Sequence, residues 1–234
     1  MKLSVIIPTY NERQRLPETL KSVDEYLFKN KIDSEIIISD DGSTDGTLEY
    51  VKSVKTKTSL KLVGDKIRQG KGAGVKRGIL ASSGDYAIFT DADNSTEMKE
   101  IEKFWPLAKE YDVIIGSRYA GIKQEKEQSF LRRLVSRGGS NLIKLFTGLD
   151  FKDTQCGFKM FSRAAAKKIF PALQDKGWGF DVEVLLLARK FGFKTKEIAV
   201  RWRDAEGSHL KSGTDSIKTF FEILKIARRV KARR

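Results

Sequence analysis

The chain has 234 residues, 40% of them hydrophobic and 32% charged, and its 45 Lys/Arg against 31 Asp/Glu leave a net charge of +14. That composition describes a globular domain able to bury a core and excludes a disordered or fibrous chain. One cysteine, Cys156, and one histidine, His209, exclude an internal disulfide and a Cys/His zinc site.

The opening run Met1-Lys2-Leu3-Ser4-Val5-Ile6-Ile7-Pro8 is too short for a signal-peptide core and predicts a first strand over residues 3–8, and with it a cytoplasmic protein. A helix over 16–28, a strand over 35–39, a helix over 47–54 and a strand over 60–63 follow. Next come a helix over 74–82, a strand over 86–90, a helix over 98–111 bent near Pro106, and a strand over 113–116. This alternation predicts an α/β protein: a mostly parallel mixed sheet, Rossmann-like, with helices on both faces. Residues 118–127 are polar and read as a loop. Residues 130–146 carry helical spacing broken at Gly138-Gly139, with Arg132, Arg133, Arg137 and Lys144 among the apolar positions. A strand over 156–161, a helix from 164, a helix over 182–191 and a strand over 197–202 complete a catalytic unit predicted to span 1–213.

Residues 214–234 hold seven Lys/Arg against two acids. At ~100° per residue, Lys218, Glu222, Lys225 and Arg229 share one arc. Ile217, Phe220, Phe221, Ile223, Leu224, Ile226 and Val230 take most of the rest. Two outcomes fit: a basic amphipathic helix lying in the interface of an anionic membrane, or a helix packed on its own domain with a solvated basic face. No apolar run approaches the ~18–20 residues that cross a bilayer. The excess positive charge requires an anionic partner, and its interleaving with apolar faces, without any base-stacking module, argues against nucleic acid.

The chemistry concentrates in two acidic clusters, each ending an apolar run. Ile36-Ile37-Ile38-Ser39 leads into Asp40-Asp41-Gly42-Ser43-Thr44-Asp45-Gly46-Thr47, and Tyr86-Ala87-Ile88-Phe89-Thr90 into Asp91-Ala92-Asp93. Buried strands that stop at carboxylates place them at the carboxyl edge of a parallel sheet, where open α/β sheets bind ligands. Oxygen ligands there suit Mg²⁺ or Mn²⁺ held jointly with substrate phosphates, so the pair predicts a nucleotide-diphosphate site. Pro8, Tyr10 and Glu12 close the first strand and can face a base or ribose. Asp40 and Asp41 can accept hydrogen bonds from ribose hydroxyls or a base N–H. Gly70-Lys71-Gly72-Ala73-Gly74 offers bare backbone N–H groups and one ammonium to a phosphate.

Taken in order and spacing, Val5–Glu12, Asp40–Thr47, Gly70-Lys71-Gly72 and Asp91-Ala92-Asp93 resemble the family 2 glycosyltransferases. Gly116-Ser117-Arg118-Tyr119, Asp153-Thr154-Gln155-Cys156-Gly157-Phe158-Lys159, Trp178-Gly179-Phe180-Asp181-Val182-Glu183 and Gly207-Ser208-His209-Leu210 extend the likeness to the polyprenyl-phosphate (dolichyl-phosphate) branch, and within it to the dolichyl-phosphate β-glucosyltransferases. The resemblance covers about residues 3–212. It implies a GT-A fold and a metal-dependent, inverting hexose transfer from UDP-glucose to a lipid phosphate. Members of the family often carry hydrophobic anchors, and the want of any such run here leads to the expectation of a protein peripheral to the cytoplasmic face of a membrane, held by its basic helices or by a partner. GDP-mannose as donor remains an alternative. By the same resemblance, Pro8, Tyr10, Glu12, Asp41 and Lys71 surround the nucleoside, Asp91 faces the ribose or sugar, and Asp93 ligates Mg²⁺ or Mn²⁺. The mannosyl branch carries a Gln at the position of Ser95, so a third side-chain ligand is not expected here. Arg118, Arg132, Ser136 and Arg203 match the acceptor-phosphate positions, with Lys211 standing in for a Lys that His209 replaces.

A phosphate monoester is anionic near neutral pH, with a second pKa of about 6, and needs no base to attack. A saccharide-hydroxyl acceptor would need one, and Asp181 or Glu183 is then the candidate. A nucleotide-sugar-binding scaffold without turnover is the alternative outside enzymes.

Overall fold

The structure is a computed structural model that describes residues 1–119, 144–203 and 214–232, with side chains of the last segment described from 222. Seven strands form one sheet in the order β3-β2-β1-β4-β6-β5-β7. In chain order they are β1 (Leu3–Thr9), β2 (Ser34–Asp41), β3 (Ser59–Asp65), β4 (Tyr86–Thr90), β5 (Val113–Ser117), β6 (Phe158–Ser162) and β7 (Thr195–Ala199). The helices are α1 (Leu16–Lys29), α2 (Thr47–Ser53), α3 (Lys71–Leu80), α4 (Arg163–Ala172), α5 (Phe180–Lys190) and α6 (Thr214–Ala232). β1 runs parallel to β2 and β4, β2 to β3, and β5 to β7, while β6 runs antiparallel between β4 and β5. The mixed, mostly parallel sheet is the expected one.

Side chains alternate across the sheet with the period of two that a pleated strand imposes. Ile6, Ile37 and Phe89 pack on one face against α3, α4, α5 and α6. Val5, Ile7, Ile36, Ile38 and Ile88 pack on the other against α1 and the segment 98–108. The chain leaves β1 outward to β2 and β3 and returns to β4 on the other side of β1. The crevice at the carboxyl ends of β1 and β4 is therefore the switch point of the sheet.

Three local expectations differ. The single helix over 98–111 is instead two 3₁₀ turns, Met98–Lys103 and Trp105–Leu107. Pro106 lacks the N–H that a continuing α-helix needs. Helix α3 starts three residues earlier than expected, taking the glycines into its first turn. The last strand ends at Ala199, so Trp202 and Arg203 lie beyond it. The predicted 118–127 loop and 130–146 helices fall mostly outside the described residues; Leu145 and Phe146 sit in a helical turn over 144–147.

Among the described side chains of α6, Ile223, Ile226, Ala227 and Val230 are buried in the same core as α5, so these four positions pack on the chain's own core, while Leu224 is half-buried. Lys225, Arg228 and Lys231 are exposed. Among the described residues no helix is long and apolar enough to cross a membrane.

Candidate active site

Because β6 is reversed, its start lies at the same edge as the ends of β1, β2, β4, β5 and β7. That edge gathers Tyr10, Asp41, Asp91, Asp93, Gly157, Arg118 and Arg203, residues up to about two hundred positions apart in sequence. Asp91 and Asp93 follow β4 directly and are half-buried. The Thr19 hydroxyl of α1 donates to the Ala92 carbonyl between them at 2.7 Å, and the Ser95 amide donates to Asp93 Oδ1 at 3.0 Å. Gly157 packs flat against Asp91, where a Cβ would stand 1.9 Å from Asp91 Oδ2. Only glycine fits the Cys156-Gly157 turn beside that carboxylate.

Lys71 Nζ lies 2.6 Å from Asp91 Oδ1 and 5.0 Å from the Trp178 ring centroid. Burial by itself would lower the Lys71 pKa, but the carboxylates of Asp91, Asp181 and Asp93 outweigh it and hold the ammonium charged. The glycines around it do something other than expected. The amides of Gly72 and Ala73 donate to the carbonyls of Gly177 and Lys176, each at 3.3 Å, so the first turn of α3 is occupied by a neighbouring protein turn. A Cβ at Gly70 would meet the Lys176 carbonyl oxygen at 2.3 Å, and one at Gly72 the Asp175 carbonyl oxygen at 2.6 Å. The glycine run is thus a close-packing device, and what it offers a phosphate is the Lys71 ammonium.

At the far end of the crevice the Arg68 guanidinium stacks 4.0 Å from the Tyr10 ring centroid. Glu12 is paired with Arg15, accepting at 2.7 Å on both carboxylate oxygens. Pro8 is half-buried at the end of β1, beside Gly74 of α3. Asp40 departs from the expected role. It is fully buried, and its oxygens accept from the amides of Gly42 and Ser43 and the hydroxyls of Thr9 and Ser43. It holds the turn, with both carboxylate oxygens taken by protein donors. Asp41 accepts from the amides of Gln69 and Gly70 at 2.7–3.1 Å, tying β2 to the glycine run.

On the other side of the crevice, Arg118 makes a two-point pair with Asp153, donating from Nε at 2.7 Å and Nη2 at 2.8 Å, while the Arg118 amide donates to the same carboxylate at 3.0 Å. Burial would raise the Asp153 pKa, but Arg118 outweighs it and holds the carboxyl below its usual range. Asp153 is itself placed by Glu197 of β7, which accepts from the amides of Lys152 and Asp153. Trp202 lies 5.6 Å from the Arg118 guanidinium, and the next residue, Arg203, donates its amide to the Ser95 carbonyl at 2.9 Å and pairs with Glu97. Arg203 is therefore tied to the loop that carries Asp91 and Asp93, and Arg118 stands beside the adjoining Trp202. Arg132, Ser136, Lys211 and His209 lie outside the described residues.

The two candidate bases are both engaged. Asp181 accepts from the fully buried Lys159 ammonium; desolvation raises its pKa despite Lys159 and Lys71. Glu183 is fully buried and accepts from the amides of Gln174 and Asp175 and from Arg229 of α6 at 2.8 Å. Glu183 is a structural carboxylate, and Arg229 is turned inward rather than toward a membrane. Sequence reasoning missed Asp153, Lys159 and Arg68. For Lys159 the signal was present: a lone cation within the apolar run Phe158-Lys159-Met160-Phe161.

Among the described residues no cluster of three or more His, Cys, Asp or Glu side chains stands ready to hold a metal. Asp93, half-buried with Asp91 two residues away, fits instead a hard cation of the Mg²⁺ or Mn²⁺ type. Such a cation takes one or two carboxylates and completes its shell with substrate phosphates and water.

The model of the glycosyl transferase family 2 matches residues 4–170. A dolichyl-phosphate β-glucosyltransferase of Dictyostelium discoideum is 38% identical over 239 residues, covering 96% of this chain and 73% of that protein. Proteins of the same name from Saccharomyces cerevisiae and Homo sapiens are 37% and 35% identical, covering 92% and 89% of this chain and 71% and 69% of theirs. Among solved structures, Mycobacterium tuberculosis glucosyl-3-phosphoglycerate synthase in complex with Mn²⁺, UDP and phosphoglyceric acid superposes with a TM-score of 0.69 at 18% identity, over 99% of this chain and 78% of that one. Rubrobacter xylanophilus mannosyl-3-phosphoglycerate synthase gives 0.71 at 16%, over 99% and 74%. These two share the GT-A fold. The family match runs through every strand of the sheet except β7 and takes in both acidic clusters and the Arg118 turn, and on that ground the chain belongs to glycosyl transferase family 2.

Proposed function

We propose that the chain transfers glucose from UDP-glucose to dolichyl phosphate or a similar polyprenyl phosphate, with inversion, giving a β-linked lipid-phosphate sugar. The observation that carries this reading is the division of one sheet edge into two halves. One presents Asp91, Asp93 and Lys71, suited to a metal-bound nucleotide diphosphate. The other presents Arg118 and Arg203, suited to a second phosphate. The names of the relatives support the sugar and the acceptor.

In this reading Tyr10 and Arg68 flank the base, Asp41 keeps the 69–70 turn in place, and Lys71 meets the diphosphate. Mg²⁺ or Mn²⁺ bound with Asp93 would supply Lewis-acid stabilisation of the departing diphosphate. Arg118, oriented by Asp153, and Arg203 hold the acceptor phosphate on the opposite side of the sugar and align its oxygen with the anomeric carbon. That oxygen is already anionic, so no side chain need remove a proton. The engagement of Asp181 by Lys159 and of Glu183 by Arg229 agrees with a site that has no general base, and disfavours a saccharide-hydroxyl acceptor. A lipid acceptor also places the protein at a membrane surface. Leu145 and Phe146 are exposed, and a groove of about 220 Å³ is lined by Phe146, Leu224, Ala227, Arg228 and Lys231, an apolar floor with a cationic rim.

The test is a product assay. Purified protein with polyprenyl phosphate, Mg²⁺ or Mn²⁺ and each nucleotide sugar should yield a hexosyl lipid phosphate from UDP-glucose, identified by mass. Asp93→Asn should cut its formation by ~100-fold or more, the scale of losing a transition-state electrostatic contact. A product made only from GDP-mannose, or only on a saccharide, would overturn the reading.

A further inference from the structure

The ion pair beneath α6 and the glycine run at the start of α3 belong to one unbroken series of contacts. Arg229 of α6 donates to Glu183 of α5 at 2.8 Å. Glu183 accepts from the Gln174 and Asp175 amides at 3.3 and 2.7 Å, fixing the start of the turn over 174–178. The carbonyls of Lys176 and Gly177 in that turn receive the amides of Ala73 and Gly72, and Lys176 Nζ donates to the Gln69 side chain at 2.9 Å. The same turn carries Trp178, over whose ring the Lys71 ammonium sits while it faces Asp91.

We infer that Glu183 and Arg229 are positioning residues of the donor site: through the 174–178 turn they hold the first turn of α3, and with it Lys71, against Asp91. This rests on the donor reading above and adds α6 to the donor machinery.

The physical reason lies in the surroundings of Glu183. It is fully buried, and the neighbouring Asp175 carboxyl, raised first by its own burial, feels the Glu183 charge as well. A fully buried carboxylate is costly unless a cation stands against it. Arg229 is that cation, and Ile226 on the next inward turn of α6 packs where a Cβ on Gly179 would stand, 2.6 Å from its Cδ1. Remove Arg229 and the buried Glu183 carboxylate loses the cation set against it and shifts, and the two amides it anchors move with it. Because Gly70 and Gly72 let the turn approach to contact distance, no slack remains to absorb that shift before it reaches Lys71.

The test compares Arg229→Met, Arg229→Lys and Glu183→Gln with Val230→Ala, a packing change on the same helix that leaves the ion pair alone. Two quantities are read on the full chain: amide hydrogen exchange at Gly72 and Ala73, and affinity for UDP with Mg²⁺. Arg229→Met should speed exchange at both amides and weaken UDP by about tenfold or more, the order expected from a small misplacement of a binding group. Arg229→Lys should restore most of both. Val230→Ala should lower the melting temperature and change neither. If Arg229→Met does not fold, Glu183→Gln carries the test: the carboxamide keeps one acceptor oxygen but loses the charge that holds Arg229 and gains an NH2 donor, and it should speed exchange at Gly72 and Ala73 and weaken UDP in the same direction. Unchanged exchange at Gly72 and Ala73 in Arg229→Met and Glu183→Gln, or an equal change in Val230→Ala, overturns the inference. Faster exchange in Arg229→Met with a wild-type protein that binds no UDP supports the contact series and overturns the donor reading instead.

Discussion

The charged residues at the sheet edge divide by what surrounds them. Asp153 and Arg118 form a pair in which each outweighs the other's desolvation. Removing one partner of such a pair strands the other, so Asp153→Asn should lower stability by about 3 kcal/mol and slow transfer while leaving UDP affinity intact. Denaturant unfolding and calorimetry read the two effects. The sign with pH follows from the depressed Asp153 pKa. Its contribution is present above the ordinary carboxyl range and is lost as pH falls through the folded value, so the gap between wild type and Asp153→Asn should narrow in acid. Asp175 has the opposite sign. Desolvation, then Glu222 and Glu183, raise its pKa, so the ionised carboxyl opposes folding at neutral pH. Asp175→Asn should therefore raise the melting temperature at pH 7. The gain should fade as pH drops to about 3.9, where the unfolded chain is also taking up its proton. A melting temperature unchanged or lowered at pH 7 would contradict this.

At the scale of elements, α3 and α6 were read from pattern and then reassigned by packing. The glycines of α3 look like a phosphate loop in one dimension. In the fold their amides are taken by the 174–178 turn, because two segments about a hundred residues apart meet there. The helical wheel of α6 put Arg229 on the basic arc, yet Arg229 pairs with the buried Glu183, and a wheel cannot say whether an apolar side meets lipid or protein. Ile223, Ile226 and Val230 meet protein. Among its described side chains Lys225, Arg228 and Lys231 are exposed, the last two sharing a groove with Leu224 and Phe146. Basic residues near an anionic surface contribute about 1 kcal/mol each, and salt shortens their reach from ~8 Å at physiological strength to ~3 Å at 1 M. Binding to vesicles containing phosphatidylglycerol should thus weaken when these three become Gln, and weaken again in high salt. Phe146→Ser should reduce what salt leaves. Equal binding by all variants, or by neutral vesicles alone, would place the membrane contact elsewhere.

For the whole molecule, the donor reading predicts that UDP stabilises the fold far more than GDP. A ligand at 100 times its dissociation constant contributes about 2.7 kcal/mol. For a domain of this size that is a rise of about 5–10 °C in melting temperature. An equal or larger rise with GDP would transfer the assignment to a mannosyl donor.

By itself the sequence determined the strands, the α/β class and the two acidic strand ends, because buried strands in a mostly parallel sheet are continuous apolar runs and their stops are punctuated by Asp and Gly. The strand positions found at 3–9, 34–41 and 86–90 show how legible that signal is. Period and punctuation are local properties. Tertiary structure alone decided which of the charged residues face outward. Asp40 turned inward to hold its own turn, Glu183 and Arg229 paired beneath α6, and Asp153 took up Arg118. Asp40 is held by its chain neighbours Gly42 and Ser43 and by Thr9 of β1, whereas the other two outcomes depend on partners brought from far along the chain, Arg229 by the docking of α6 and Asp153 by its pairing across the sheet edge, and there the energy of burying a charge is set by that distant partner.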